Sequence, residues 1–177
     1  QAALLLRQAG RLEGTVRKTD IPRRYFMQSM IATLWDTGLR CGDCCHIACK
    51  DFDPARSALY VIESKTGKSG FKLLRPDTAA MITRSIASTP ERDLIWPGMQ
   101  PVAIAKAIKR LGRDAGVAGG AKYLRRGSAS EVERTHPGAG WRFLSHSTPD
   151  IFEKFYRDVS LTDRQALMPP TISFGSE

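Results

Sequence analysis

The chain has 177 residues, 42% of them hydrophobic, which suits one packed domain and argues against both a disordered segment and two full domains. Lysine and arginine number 27 against 18 acidic residues, a formal charge of +9 that is spread along the chain and favours a polyanionic partner, nucleic acid or an acidic membrane surface. No segment resembles a signal peptide and the apolar runs are far short of a membrane span, so the expected location is cytoplasmic and no membrane partner is expected.

In chain order, a first helix is predicted over Ala2–Leu12, ending near Gly14. The basic stretch Arg17–Arg24 contains Pro22, a residue suited to a helix start. From there Phe26, Met27, Met30, Ile31, Leu34 and Trp35 share one helical face, and this buried helix stops at Thr37-Gly38. A short helix is predicted over Gly42–Cys49, then a turn at Asp51–Pro54. Ala58–Glu63 and Gly70–Arg75 read as two strands joined through Ser64–Ser69, with Gly67 suited to a hairpin. Helices follow over Asp77–Ser88, Pro101–Leu111 and Lys122–Arg134, with a proline-containing loop over Ser88–Gln100. After His136-Pro137-Gly138 come a short helix at Gly140–Leu144 and another beginning at Thr148-Pro149. The predicted fold class is α+β, mainly α, with a small antiparallel hairpin, in a single domain over 1–177 whose residues 158–177 form a C-terminal arm.

Cys41, Cys44, Cys45 and Cys49 fall within nine positions. Zinc sites usually pair two separated halves, whereas these thiols recur at near-helical intervals and read as small core residues on one stripe. No metal and no cofactor is expected.

Four separated pieces carry the functional signal. They are Thr37-Gly38-Leu39-Arg40-Cys41-Gly42-Asp43, Ser64-Lys65-Thr66-Gly67-Lys68, Lys122-Tyr123-Leu124-Arg125, and Leu144-Ser145-His146 followed by Tyr156. In this order they resemble the signature of the tyrosine recombinase, or phage integrase, family. The resemblance runs from about Gln28 to Asp158, and its strength lies in the order and spacing of the boxes together.

The resemblance implies roles residue by residue. Arg40 and Arg125 would clamp the non-bridging oxygens of a scissile DNA phosphate, and Asp43 would support Arg40. Lys65, favoured over Lys68, would protonate the departing 5′ oxygen. Lys122, where many relatives carry histidine, would assist proton transfer. His146 would hydrogen-bond the phosphate, and Tyr156 would attack it. Two guanidinium forks stay charged at any working pH and supply the electrostatic stabilisation that a metal supplies elsewhere. A phenol with an ordinary pKa of about 10 is a weak nucleophile that neighbouring cations activate.

The sequence departs from the family pattern at Ser145, where a glycine is usual, at Lys122, and at Cys44, Cys45 and Cys49, where larger apolar residues are usual. The resemblance further implies double-stranded DNA as partner, association with the nucleoid, and a homotetramer in the full-length protein that exchanges the arm, with a monomer for this piece. An N-terminal core-binding domain is expected to be absent from it. Further phosphate contacts are expected from Arg17, Lys18, Arg23, Arg24, Lys72, Lys109, Arg110 and Arg126. Two alternatives stand beside this reading: an inactive DNA-binding relative, and a cysteine-based metal-binding interaction module.

Overall fold

A computed structural model describes residues 1–117, 119–146 and 149. The helix α2 (Arg23–Thr37) is the axis of the fold. It is buried nearly all round, against α1 (Ala2–Gly10), α4 (Pro76–Ala87) and α6 (Ala121–Thr135). Buried Ser29 bonds within the core: its hydroxyl donates to the Tyr25 carbonyl at 2.8 Å and accepts from Trp96 Nε1 at 2.9 Å. Helix α5 (Pro101–Asp114) buries Ile104, Ile108 and Leu111, the stripe its 3.6-residue period predicts.

The end of α2 sets the position of α7 (Gly140–Phe143), just over a hundred residues later in the chain. Gly38 takes a left-handed conformation (φ 61°) and caps α2 through its N–H to the Leu34 carbonyl, 3.1 Å away. A Cβ there would lie 2.6 Å from Phe143 Cε1 and 2.9 Å from Leu144 Cδ2. Those two residues end α7, which packs with Ala129 and Val132 of α6 in a small second apolar cluster. The glycine therefore serves both the reversal of the chain and the close approach of α7.

The cysteine segment differs from the single helix predicted for it. Helix α3 spans only Cys41–Cys44, and a separate 3-10 turn comes after it at Cys49–Asp51. The break has a local cause: the Asp51 carboxylate accepts the Ala48 N–H at 3.1 Å and starts a new turn. The Asp93–Ile95 loop reinforces it through Cys49 N–H to Asp93 O (2.7 Å) and Ile95 N–H to Ile47 O (3.0 Å). Cys41 and Cys44 are buried and Cys45 and Cys49 half-buried, all as free thiols.

The turn predicted at Asp51–Pro54 contains a short strand, β1 (Phe52–Asp53). It pairs antiparallel with β2 (Ala58–Ile62), which pairs antiparallel with β3 (Ser69–Leu73), giving the order β1-β2-β3. Leu59 faces Lys72 across the ladder, Tyr60 faces Phe71 and Val61 faces Gly70. Leu59 and Val61 are buried, whereas Tyr60, Ile62, Phe71 and Leu73 are exposed. The alternation of the hairpin thus turns Lys72 inward and leaves apolar side chains on the outer face.

Candidate active site

Arg40 stands immediately before α3, and Asp43 is buried one turn later. The Asp43 carboxylate accepts the Arg40 backbone N–H at 3.3 Å through Oδ2. Its other oxygen accepts both the backbone N–H of Ser64 (2.9 Å) and the Ser64 hydroxyl (2.7 Å). One carboxylate thus ties the helix that carries Arg40 to the residue preceding Lys65.

A second buried carboxylate, Glu63, completes this floor. Arg40 Nη1 lies 3.9 Å from both Asp43 Oδ2 and Glu63 Oε2, and Lys72 Nζ lies 3.5 Å from Glu63 Oε1. Glu63 also closes the hairpin: its N–H donates to the Lys68 carbonyl (2.8 Å) and its carbonyl accepts the Gly67 N–H (2.8 Å). Lys65 sits exposed in the turn this pair closes, between Ser64 and the left-handed Gly67 (φ 66°).

Arg125 projects from α6 between two other elements. Its Nη1 donates to the Gly38 carbonyl and its Nη2 to the Leu144 carbonyl, the latter at 3.1 Å. The guanidinium plane is held by the end of α2 on one side and the end of α7 on the other. Lys122, one turn earlier on the same helix face, is exposed.

His146 lies just past the turn that closes α7, with its N–H donating to the Trp141 carbonyl at 2.9 Å. Burial lowers its pKa below the ordinary 6.5, and the positive charges of Arg125, Arg40 and Lys65 push the same way against a smaller opposing pull from Glu63. The imidazole is therefore neutral at neutral pH, surrounded by cations from three different elements.

These side chains line one cleft of about 800 Å³, shared by Arg40, Lys65, Lys68, Lys122, Arg125 and His146 and bordered by Ala105 of α5. Their positions in sequence span more than a hundred residues. Of the residues singled out from sequence, Tyr156 and the arm 158–177 lie outside the described residues. Lys72, expected at the DNA surface, is instead turned inward on Glu63, while Arg126 does border the cleft. Glu63 lies outside the four sequence boxes; its signal is the period of two along Leu59, Val61 and Glu63, which places all three on the buried face of the strand.

Among the described residues no three His, Cys, Asp or Glu side chains come together as a group that could hold a metal ion. Burial raises the Cys41 thiol to about 12 and keeps Cys44 well above the usual thiol range.

No protein-family model matches the chain, and no curated protein matches it in sequence. Solved structures do match it. XerA recombinase superposes with a TM-score of 0.72 at 18% identity, over 89% of this chain and 58% of that one. XerH site-specific recombinase bound to a palindromic difH substrate, in a post-cleavage complex, gives 0.68 at 15% identity over 89% and 48%. A lambda integrase dimer bound to a COC′ core site gives 0.64 at 17% identity over 91% and 49%. The chain has the fold of a tyrosine recombinase catalytic domain, and it spans about half the length of these relatives.

Proposed function

We propose that this domain cleaves and rejoins duplex DNA in site-specific recombination, with Tyr156 as nucleophile and without metal or ATP. The observation that carries the reading is the convergence of Arg40, Lys65, Lys122, Arg125 and His146 on one cleft. A scissile phosphate in that cleft would meet guanidinium groups from two sides, each already oriented by protein: Arg40 over the Asp43–Glu63 floor, Arg125 by the Gly38 and Leu144 carbonyls. Donors fixed in advance stabilise the charge that builds on the non-bridging oxygens with little reorganisation at the moment of reaction.

The Tyr156 phenol releases its proton to water, a loss that the surrounding cations favour, and the phenolate oxygen attacks phosphorus; the bond from phosphorus to the 5′ oxygen breaks and a 3′-phosphotyrosine forms. The departing 5′ alkoxide takes a proton from Lys65 and leaves as a hydroxyl. Neutral His146 donates a hydrogen bond to a phosphate oxygen, and Lys122 supports proton transfer at the nucleophile. Rejoining is the reverse, with a 5′ hydroxyl attacking the phosphotyrosine, so the phosphodiester energy is retained. Among the similar structures a lambda integrase dimer sits on a core site, a XerH recombinase on its substrate in a post-cleavage complex and a lambda integrase tetramer on a Holliday junction, which supports duplex DNA as substrate and assembly on it as a tetramer.

The test is strand cleavage of a duplex in the presence of a chelator by the full-length protein and its variants. Wild type is expected to cleave. Arg40→Ala, Arg125→Ala and Tyr156→Phe are each expected to lose at least about a hundredfold, the scale on which removal of one oriented donor acts. Cleavage undiminished in Tyr156→Phe, or abolished by the chelator, would overturn the reading.

A further inference from the structure

Ser145 occupies a left-handed backbone conformation (φ 57°), one that a residue with a Cβ seldom adopts. It sits in the turn between α7 and His146. Both its polar groups reach across to the hairpin. Its hydroxyl accepts a hydrogen bond from Lys72 Nζ at 2.7 Å, and its carbonyl accepts one from Lys68 Nζ at 3.1 Å. Lys72 carries the contact further, lying 3.5 Å from Glu63 Oε1, the carboxylate that faces Arg40.

These contacts join parts of the cleft that the backbone leaves separate. Lys68 and Lys72 flank the β3 side of the turn that presents Lys65, and Ser145 adjoins His146. Glycine would hold the left-handed turn without strain, yet it would offer no hydroxyl to Lys72. The strained conformation is thus kept together with a contact that only a side chain supplies, and that contact fixes one wall of the cleft against the other.

We infer that Ser145 is a positioning residue: through Lys72 and Lys68 it docks the lysine hairpin against the turn that carries His146, and so places Lys65 on the leaving-group side of the phosphate. The inference rests on the proposed cleavage chemistry for its catalytic consequence, and on the hairpin contacts alone for its structural one. Its chemical consequence is specific. A hairpin that is undocked delivers its proton poorly, which slows departure of an oxygen and leaves departure of a sulfur unaffected, because a thiolate needs no protonation to leave.

The experiment compares Ser145→Gly and Ser145→Asn with wild type in two readouts. Backbone hydrogen exchange of residues 63–70 needs no DNA; Ser145→Gly is expected to lose protection there while its Tm is unchanged or raised, since glycine relieves the turn. Ser145→Asn, which tolerates the left-handed conformation and retains an acceptor oxygen, is expected to keep that protection. Single-turnover cleavage is then measured on ordinary DNA and on DNA with a bridging 5′ sulfur at the scissile position. Ser145→Gly is expected to be slowed roughly ten- to a hundredfold on the oxygen substrate, the scale set by misplacing a catalytic group, and to match wild type on the sulfur one. Unchanged hairpin exchange in Ser145→Gly, or equal slowing on both substrates, would overturn the inference. Absence of cleavage by wild type on either substrate would instead remove the proposed function, leaving the exchange result to judge the docking by itself.

Discussion

One oxygen of Asp43 accepts two hydrogen bonds from Ser64, from its backbone N–H at 2.9 Å and its hydroxyl at 2.7 Å. The residues lie twenty-one positions apart, on a helix and a hairpin, and each adjoins or supports a proposed catalytic cation. Asp43→Asn exchanges an oxygen acceptor for an amide and removes the charge facing Arg40. It is expected to destabilise the domain by about 1–3 kcal/mol, the cost of a buried polar group left without its partner. Cleavage rate should fall further than DNA affinity, since the positions of Arg40 and Lys65 change while most surface cations do not. Denaturant titration and single-turnover kinetics on one preparation check both parts; a parallel fall in affinity and rate would point to general unfolding.

Gly38 and Gly67 form a matched pair for a second prediction. Both have positive φ, 61° and 66°, but a Cβ at Gly38 would strike α7 whereas one at Gly67 meets nothing within 4 Å. Gly67→Ala is expected to cost about 1 kcal/mol, the left-handed penalty alone. Gly38→Ala is expected to cost at least about 2 kcal/mol, with displacement of the Arg125 anchor added to the strain. Urea unfolding of the two variants checks the difference; equal costs would show that α7 gives way freely at Gly38.

His146 yields a pH prediction whose sign is set by its environment. Its pKa lies below 6.5 in the fold, so between that lowered value and 6.5 the unfolded chain binds more protons. The His146 contribution to stability is therefore full above pH 6.5 and is lost as pH falls through that window. NMR titration of the imidazole is expected to give a midpoint below 6.5 without ligand, and a higher one when an oxyanion such as phosphate or vanadate enters the cleft and offsets the arginine charges. A midpoint at or above 6.5 without ligand would place His146 away from Arg40 and Arg125.

The thiols give a fourth prediction. Burial raises Cys41 to about 12 and lifts Cys44 well above the usual thiol range, so both stay protonated at neutral pH. Alkylation of these two positions in the folded protein is expected to be far slower than in urea, as measured by mass spectrometry. Rapid native labelling of Cys41, which borders the cleft, would contradict the burial described for it.

Much of this arrangement is legible in the amino-acid order. The apolar spacing of α2 and α5, the glycine-bearing hairpin and the prolines opening α4 and α5 are local signals, and the helices and strands fall within a few residues of where those signals place them. The boxes around Arg40, Lys65, Arg125 and His146 mark residues that one cleft brings together. The interior polar contacts are not legible, because they depend on partners distant in sequence. Lys72 looks like a surface lysine between Phe71 and Leu73, yet the strand turns it inward and its two apolar neighbours outward. Nothing near Ser145 announces a hydrogen bond to a residue seventy-three positions earlier. The cysteine stripe misleads for a related reason: its spacing suits one helix, but Asp51 and the Asp93–Ile95 loop interrupt it.

If the cations of this cleft surround a single phosphorus atom attacked by Tyr156, the enzyme and its substrate must pass through a covalent bond at that tyrosine. The most direct test is to trap the full-length protein on a nicked DNA duplex that cannot religate, digest the adduct and locate the attached nucleotide by mass spectrometry. A 3′-phosphoryl nucleotide is expected on the peptide containing Tyr156, formed in chelator and absent from Arg40→Ala and Arg125→Ala. Attachment to another residue, or cleavage with no covalent intermediate, would contradict the proposed chemistry.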